Sequence, residues 1–164
     1  MFIESMFQIA LILATFFTSL VAGLLFTFAI VVMPGIKTLP DREFIRAFQV
    51  MDGVIQNNHP LFIIVWVGSV LTLIVSAVFG MWQLDGIARI TLLLITFVYI
   101  VGVQLPTITI NVPLNNRLQT LDTSSADNIM QKQARNEFES RWNFWNSFRT
   151  ILASLVSVTL MILL

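Results

Sequence analysis

Residues 6–33, MFQIALILATFFTSLVAGLLFTFAIVVM, carry no charged side chain, and Met33-Pro34-Gly35 closes the run. A helix needs about 20 residues to cross a bilayer, and this stretch exceeds that. Within hydrocarbon only a helix or a closed barrel satisfies its own backbone. The run is too long for the core of a signal peptide, and Glu4 stands where a basic leader would begin. An uncleaved membrane helix is expected. The same reading recurs three times further along. Leu61–Met81 has no charge; Ile90–Ile110 has none either, and its last turn is expected to bend at Pro106; Ser147–Leu164 has Arg149 as its only charge. The expectation is an all-α chain: one integral membrane domain over 1–164, a four-helix transmembrane bundle with amphipathic connecting helices. The spans are expected near 6–33, 61–82, 90–110 and 145–164.

Composition agrees. Hydrophobic residues make up 57% of the 164 and charged residues only 11%, where a soluble domain carries about a quarter charged. Nine basic residues balance nine acidic ones, which leaves no electrostatic case for nucleic acid. There is no cysteine, which excludes thiolate and iron–sulfur chemistry, and His59 is the sole histidine. One histidine cannot supply the two- or three-histidine sets of non-haem iron, bis-ligated haem or zinc within one chain. No metal and no cofactor are expected; the expected partner is the lipid bilayer.

Small residues recur at intervals of four: Thr15, Ser19, Gly23 and Thr27 in the first span, Gly68, Thr72, Ser76 and Gly80 in the second. Such rows let helix backbones approach in lipid, so the first two spans are expected to be neighbours. No ionisable residue sits at mid-span, unlike most ion-coupled transporters. Of the two polar connections, residues 36–59 hold Thr38-Leu-Pro-Asp41, read as a helix start with Thr38 as cap. An amphipathic helix near 39–57 is expected to follow, with Phe44, Ile45, Phe48, Met51 and Ile55 as its apolar stripe, lying at the interface or over the bundle mouth. In the second connection, Ser124-Ser-Ala-Asp127 reads as a capping start for a helix running into the fourth span. Lys37, Arg42, Arg46, Arg117, Lys132, Arg135, Arg141 and Arg149 fall on the side of these connections, with Arg89 alone opposite. The positive-inside rule then expects both connections in the cytoplasm and both termini outside, in the plasma (inner) membrane.

The chemistry concentrates at the same end. Trp142, Trp145, Asn146 and Arg149 stand at i, i+3, i+4 and i+7, one face of a helix. Two indoles offer stacking surfaces, and a guanidinium fork suits planar oxygen acceptors. Such a ladder is equally an interfacial aromatic belt with a snorkelling arginine. Asn111 and Asn115 flank Pro113, and Asn111 is expected to cap a helix there. Gln49, Asp52 and Gln56 share the polar face of the first connection, just before His59. Carboxamides are uncharged and both donate and accept. The set suits a flat, hydrophobic aromatic small molecule with carbonyl or phenol oxygens, reached from the membrane.

Asn111-Val-Pro113-Leu114-Asn115, followed by Trp142-x-x-Trp145-Asn146-x-x-Arg149-Thr150, resembles the anthrone oxygenase-like family of integral membrane proteins. Met33-Pro34-Gly35 and Phe44…Phe48-Gln49 resemble it too, so the likeness covers nearly the whole chain. The resemblance implies a four-helix membrane protein, some relatives of which oxidise anthrones to anthraquinones with molecular oxygen and no evident cofactor. Under it, Arg149 and Asn146 would hold the oxyanion, Trp142 and Trp145 the rings, and Asn111, Asn115 and Gln49 the other oxygens. His59 would be the base, for its near-neutral titration, with Asp52 as the second choice. The rival is a non-catalytic membrane protein or complex subunit whose motifs only lock helix ends. An open cavity between these side chains separates the two readings.

Overall fold

The computed structural model describes the backbone from Phe2 and side chains from Glu4 to Leu164. Among the described residues there is no strand, and four helices are long and apolar enough to cross a membrane. These are α1 (Glu4–Ile36), α3 (Pro60–Gln83), α4 (Gly86–Gln119) and α5 (Asn128–Leu163). The amphipathic α2 (Asp41–Gln56) stands between the first two. The protein is an all-α, four-helix transmembrane bundle with an amphipathic connecting helix.

Helices α1 and α3 pack along each other, and α5 packs on α1 and α4. The core is a column of Phe7, Leu11, Ala14, Val21, Leu73, Tyr99, Val103, Val156 and Leu160. The rows of small residues account for only part of this. Gly68 lies under the Phe17 ring, 3.0 Å from where a Cβ would stand, but Gly80 faces Leu92 of α4. Ser19 turns to α5, where its Oγ meets Ser157 Oγ at 2.6 Å, and Gly23 and Thr27 face outward. The reason is angular. Four residues advance about 40° beyond one full turn, so a row of four walks off the contact face.

Two expected caps are corrected. Helix α2 starts after Pro40, and Thr38 Oγ1 donates to Gly35 C=O instead of capping. A β-region residue directly before Asp41 is supplied by Pro40 itself, so Thr38 is too far upstream. Asn111 does not cap either. It has helical dihedrals (φ −71°, ψ −43°) inside a helix that continues to Gln119. Pro106 and Pro113 are absorbed without a break because Tyr99–Gln104 and Thr107–Asn111 widen into π-helical turns. At α5 the cap is Asp127, whose carboxylate accepts from Met130 N at 2.8 Å; Ser124 bonds Asp122 instead.

Helix α2 folds over the mouth of the bundle. Phe44, Ile45 and Phe48 are buried against Met33, Leu114, Leu118, Phe138 and Trp142, a second apolar core. Reciprocal amide bonds fasten it: Gln49 Nε2 donates to Leu118 and Leu121 C=O (2.8 and 2.9 Å), and Gln119 Nε2 donates to Gln49 C=O (3.0 Å). From α5, Arg135 donates to Lys37 and Leu39 C=O and pairs with Asp41 and Glu139. The Leu118, Leu121, Lys37 and Leu39 carbonyls lie at or just past the ends of α4 and α1, where helix ends leave carbonyls short of donors.

Candidate functional site

Beneath α2 lies a cavity of about 660 Å³, bounded by α1, α2, α3, α4 and α5. Its walls are almost wholly apolar: Leu25 and Phe28 from α1, Phe48 and Ile55 from α2, Phe62, Trp66 and Val70 from α3. Val67, Leu71 and Ile74 of α3 and Ile108 and Val112 of α4 line it and are also exposed on the outside of the bundle. The cavity therefore reaches the lipid-facing surface between α3 and α4. That gap exists because α3 meets α4 chiefly along Gly86–Val98, next to their connecting turn, and leans on α1 beyond it.

Polar groups enter the cavity at three levels of α4. The middle level holds Arg149, only 3% exposed. Its Nη1 donates to Thr107 Oγ1 (2.7 Å), Nη2 to Asn146 Oδ1 (3.1 Å) and Nε to Trp145 C=O (3.4 Å). Asn146 is held in turn by donating to Leu25 C=O (3.0 Å), which ties α5 to α1. Of the five N–H donors in a guanidinium, three are engaged here, leaving two. Among the described residues no carboxylate pairs with this cation. It is a buried positive charge with neutral acceptors only.

Toward the mouth, Asn115 bridges two elements. It accepts from Trp142 Nε1 (2.7 Å) and donates to Asp52 Oδ1 (2.7 Å). Asp52, 2% exposed, also accepts from Gln56 and Gln119 Nε2 at Oδ2 (2.6 and 3.0 Å). Three amide donors and no cation surround this carboxylate, so its lone pairs are largely committed. The Trp142 ring lies 5.5 Å from Phe48 and 5.7 Å from Phe28, centroid to centroid, making an aromatic wall.

Deeper in, Trp66 Nε1 donates to Gln104 Oε1 at 2.9 Å, and Tyr99 and Ser69 hydroxyls meet at 2.8 Å. Gln104 Nε2 and Asn111 Oδ1 are the two buried side-chain polar atoms without a protein partner among the described residues. Both residues line the cavity.

Of the residues marked in the sequence, the fold brings Asp52, Asn111, Asn115, Trp142, Asn146 and Arg149 to this cavity. Three stand apart from its lining. His59 is exposed, directly before α3. Trp145 is half-buried between Phe144 and Phe148, and Gln49 is spent on fastening α2. Gln104, Thr107 and Trp66 join the site without having been singled out by motif. The signal available for the first two was register: 104, 107, 111 and 115 keep to one face of α4. The α2–α3 connection exposes His59 because the chain leaves the bundle at Asn57-Asn58 before re-entering at Pro60.

A family model described as anthrone oxygenase matches residues 56–159, more than half of the chain. The matched range holds every cavity polar group named above except Asp52, which α2 supplies. No curated protein and no solved structure matches.

Proposed function

This chain belongs to the anthrone oxygenase family, and from that premise we propose that it binds a flat, oxygen-bearing aromatic molecule in the lipid-facing cavity and oxidises it with molecular oxygen. The single observation that carries the reading is Arg149: a buried cation with no counter-charge among the described residues, beside two free N–H donors and an apolar cavity. A buried unpaired charge is unfavourable by several kcal/mol, so a ligand oxyanion is its natural complement.

The chemistry follows from that cation. An anthrone is a carbon acid; loss of a proton from its methylene carbon puts negative charge on the carbonyl oxygen. Held by Arg149, that oxyanion form is favoured in a site that excludes water. The anion is electron-rich enough to reduce oxygen by one electron, and recombination gives a hydroperoxide at the former methylene carbon. Loss of water then leaves the second carbonyl. In sum, anthrone and O₂ yield anthraquinone and water. Trp142, Phe28 and Phe48 would flank the rings, and Asn146 would hold the guanidinium in its plane. Asp52 is the carboxylate at the cavity; its three amide donors assign it to orienting Asn115 and Trp142 at least as much as to taking a proton. Substrate and oxygen both partition into hydrocarbon, so an opening between α3 and α4 serves both. We place the protein in the plasma (inner) membrane with both connections cytoplasmic and both termini outside, on the eight-to-one division of basic residues.

The test is direct. Purified protein in detergent is given anthrone under air, with anthraquinone formation and oxygen uptake recorded against the uncatalysed rate. Acceleration that Arg149→Lys reduces by roughly a hundredfold, at unchanged helicity, is expected, because a point charge does not replace a fork. No acceleration over buffer removes the catalytic reading and leaves the helix-locking one.

A further inference from the structure

Gln104 and Asn111 both line the cavity, and their neighbours fix which half of each amide is left over. An indole N–H only donates, so the Trp66 bond forces Gln104 to turn its oxygen toward Trp66 and its N–H₂ group away. A backbone carbonyl only accepts, so Trp142 C=O, 3.4 Å from Asn111 Nδ2, holds the amide nitrogen of Asn111 and leaves its oxygen unmatched. The residues are 7% and 2% exposed, and among the described residues neither atom has a partner in hydrogen-bond geometry, although the Gln104 amide stands beside the Tyr99 hydroxyl. Buried amide atoms are nearly always partnered, so this pair on one cavity wall points to a ligand. Seven residues separate the two, about 10 Å along the helix axis. Thr107, which holds Arg149, stands between them.

Resting on the ligand class proposed above, we propose that Gln104 and Asn111 form a two-point reader of the bound molecule. The Gln104 N–H₂ donates to an acceptor oxygen toward one end of the ring system, and the Asn111 carbonyl accepts from a hydroxyl toward the other. Arg149 between them takes the oxyanion. The two amides are neutral and pre-set by Trp66 and Trp142, so they act on which molecule binds, as specificity-determining residues, and Arg149 acts on the charge that develops. A ring system without a peripheral acceptor and a peripheral hydroxyl leaves one or both amide atoms unmatched.

The experiment is equilibrium binding by quenching of tryptophan fluorescence, with the full chain in detergent under argon so that no turnover occurs. The probes are anthrone itself and pairs of monomethoxy- and monohydroxyanthrone substituted at the same ring carbon. For the wild type, at least one methoxy and one hydroxy derivative should bind roughly three- to tenfold more tightly than anthrone, the gain from one added hydrogen bond. Trp66→Phe/Gln104→Met removes the amide donor together with the indole N–H that the amide accepts from, and should abolish the methoxy preference while keeping the hydroxy one. Asn111→Leu should do the reverse, and Asn111→Asp, which retains an acceptor, should restore the hydroxy preference. Where that pair fails to fold by thermal unfolding and gel filtration, Gln104→Met alone carries the same expectation. Preferences that persist in the folded variants, or that never exceed anthrone in the wild type, overturn the reader while leaving the oxygenase reading intact. Absence of anthrone binding to the wild type removes both.

Discussion

Replacing Arg149 by methionine removes a charge that the fold does not neutralise. The guanidinium lies fifteen residues from Leu164 on a continuous helix, about 22 Å of rise. If Leu164 sits at one edge of a hydrocarbon layer about 30 Å thick, Arg149 stands roughly 8 Å inside the other edge. Its hydrogen bonds to Thr107 and Asn146, with a longer one to Trp145 C=O, would be lost. Thr107 keeps its own bond to Val103 C=O, so the main new defect is a buried Asn146 oxygen without a donor, worth about 1–3 kcal/mol. Against this stands the desolvation of an unpaired cation, several kcal/mol. The second is the larger. Arg149→Met should therefore leave thermal stability unchanged or raise it by up to about 3 kcal/mol, and Arg149→Met/Asn146→Leu, which removes the orphaned oxygen as well, should raise it further. Unfolding in detergent, followed by circular dichroism and by SDS titration, measures this. Anthrone oxidation should meanwhile fall to the uncatalysed rate. A loss of more than about 3 kcal/mol in the single variant would refute the reasoning, because it would make Arg149 a structural keystone in a role that needs no ligand.

Two further outcomes are expected. Gly86 opens α4 at φ +50°, where a Cβ is strained, so Gly86→Ala should destabilise by about 1 kcal/mol. Gly23 has nothing within 4 Å of a built Cβ, and Gly23→Ala should show no loss in the same thermal assay; equal effects at both sites would contradict the backbone geometry. Because the chain has no cysteine, Ser125→Cys places one thiol in the α4–α5 connection; it should resist a membrane-impermeant maleimide in intact cells and react after lysis, and labelling of intact cells would reverse the assigned orientation.

Hydropathy by itself settled the four spanning helices and the all-α bundle, since an uncharged run in lipid has no other way to satisfy its backbone. The amphipathic period near 39–57 also announced a helix with one buried face, and the i, i+4, i+7 spacing of Trp142, Asn146 and Arg149 put three candidate residues on one side of α5. These are local properties, carried by spacing along one helix. What each carboxamide does is not local. Gln49 and Asn111 look alike in sequence, yet Gln49 meets the Leu118 and Leu121 carbonyls at the end of α4 while Asn111 lines a cavity. The difference arises from where α2 lies across the bundle. The two π-helical turns of α4 let the helix run on through Pro106 and Pro113, which converts an expected cap at Asn111 into a lining residue. Trp145 and His59 went the other way, turned out by their azimuth on α5 and by the excursion of the chain before Pro60. The gap between α3 and α4 depends on how far α3 leans on α1, a packing decision distributed over both helices and written in no single stretch of the chain.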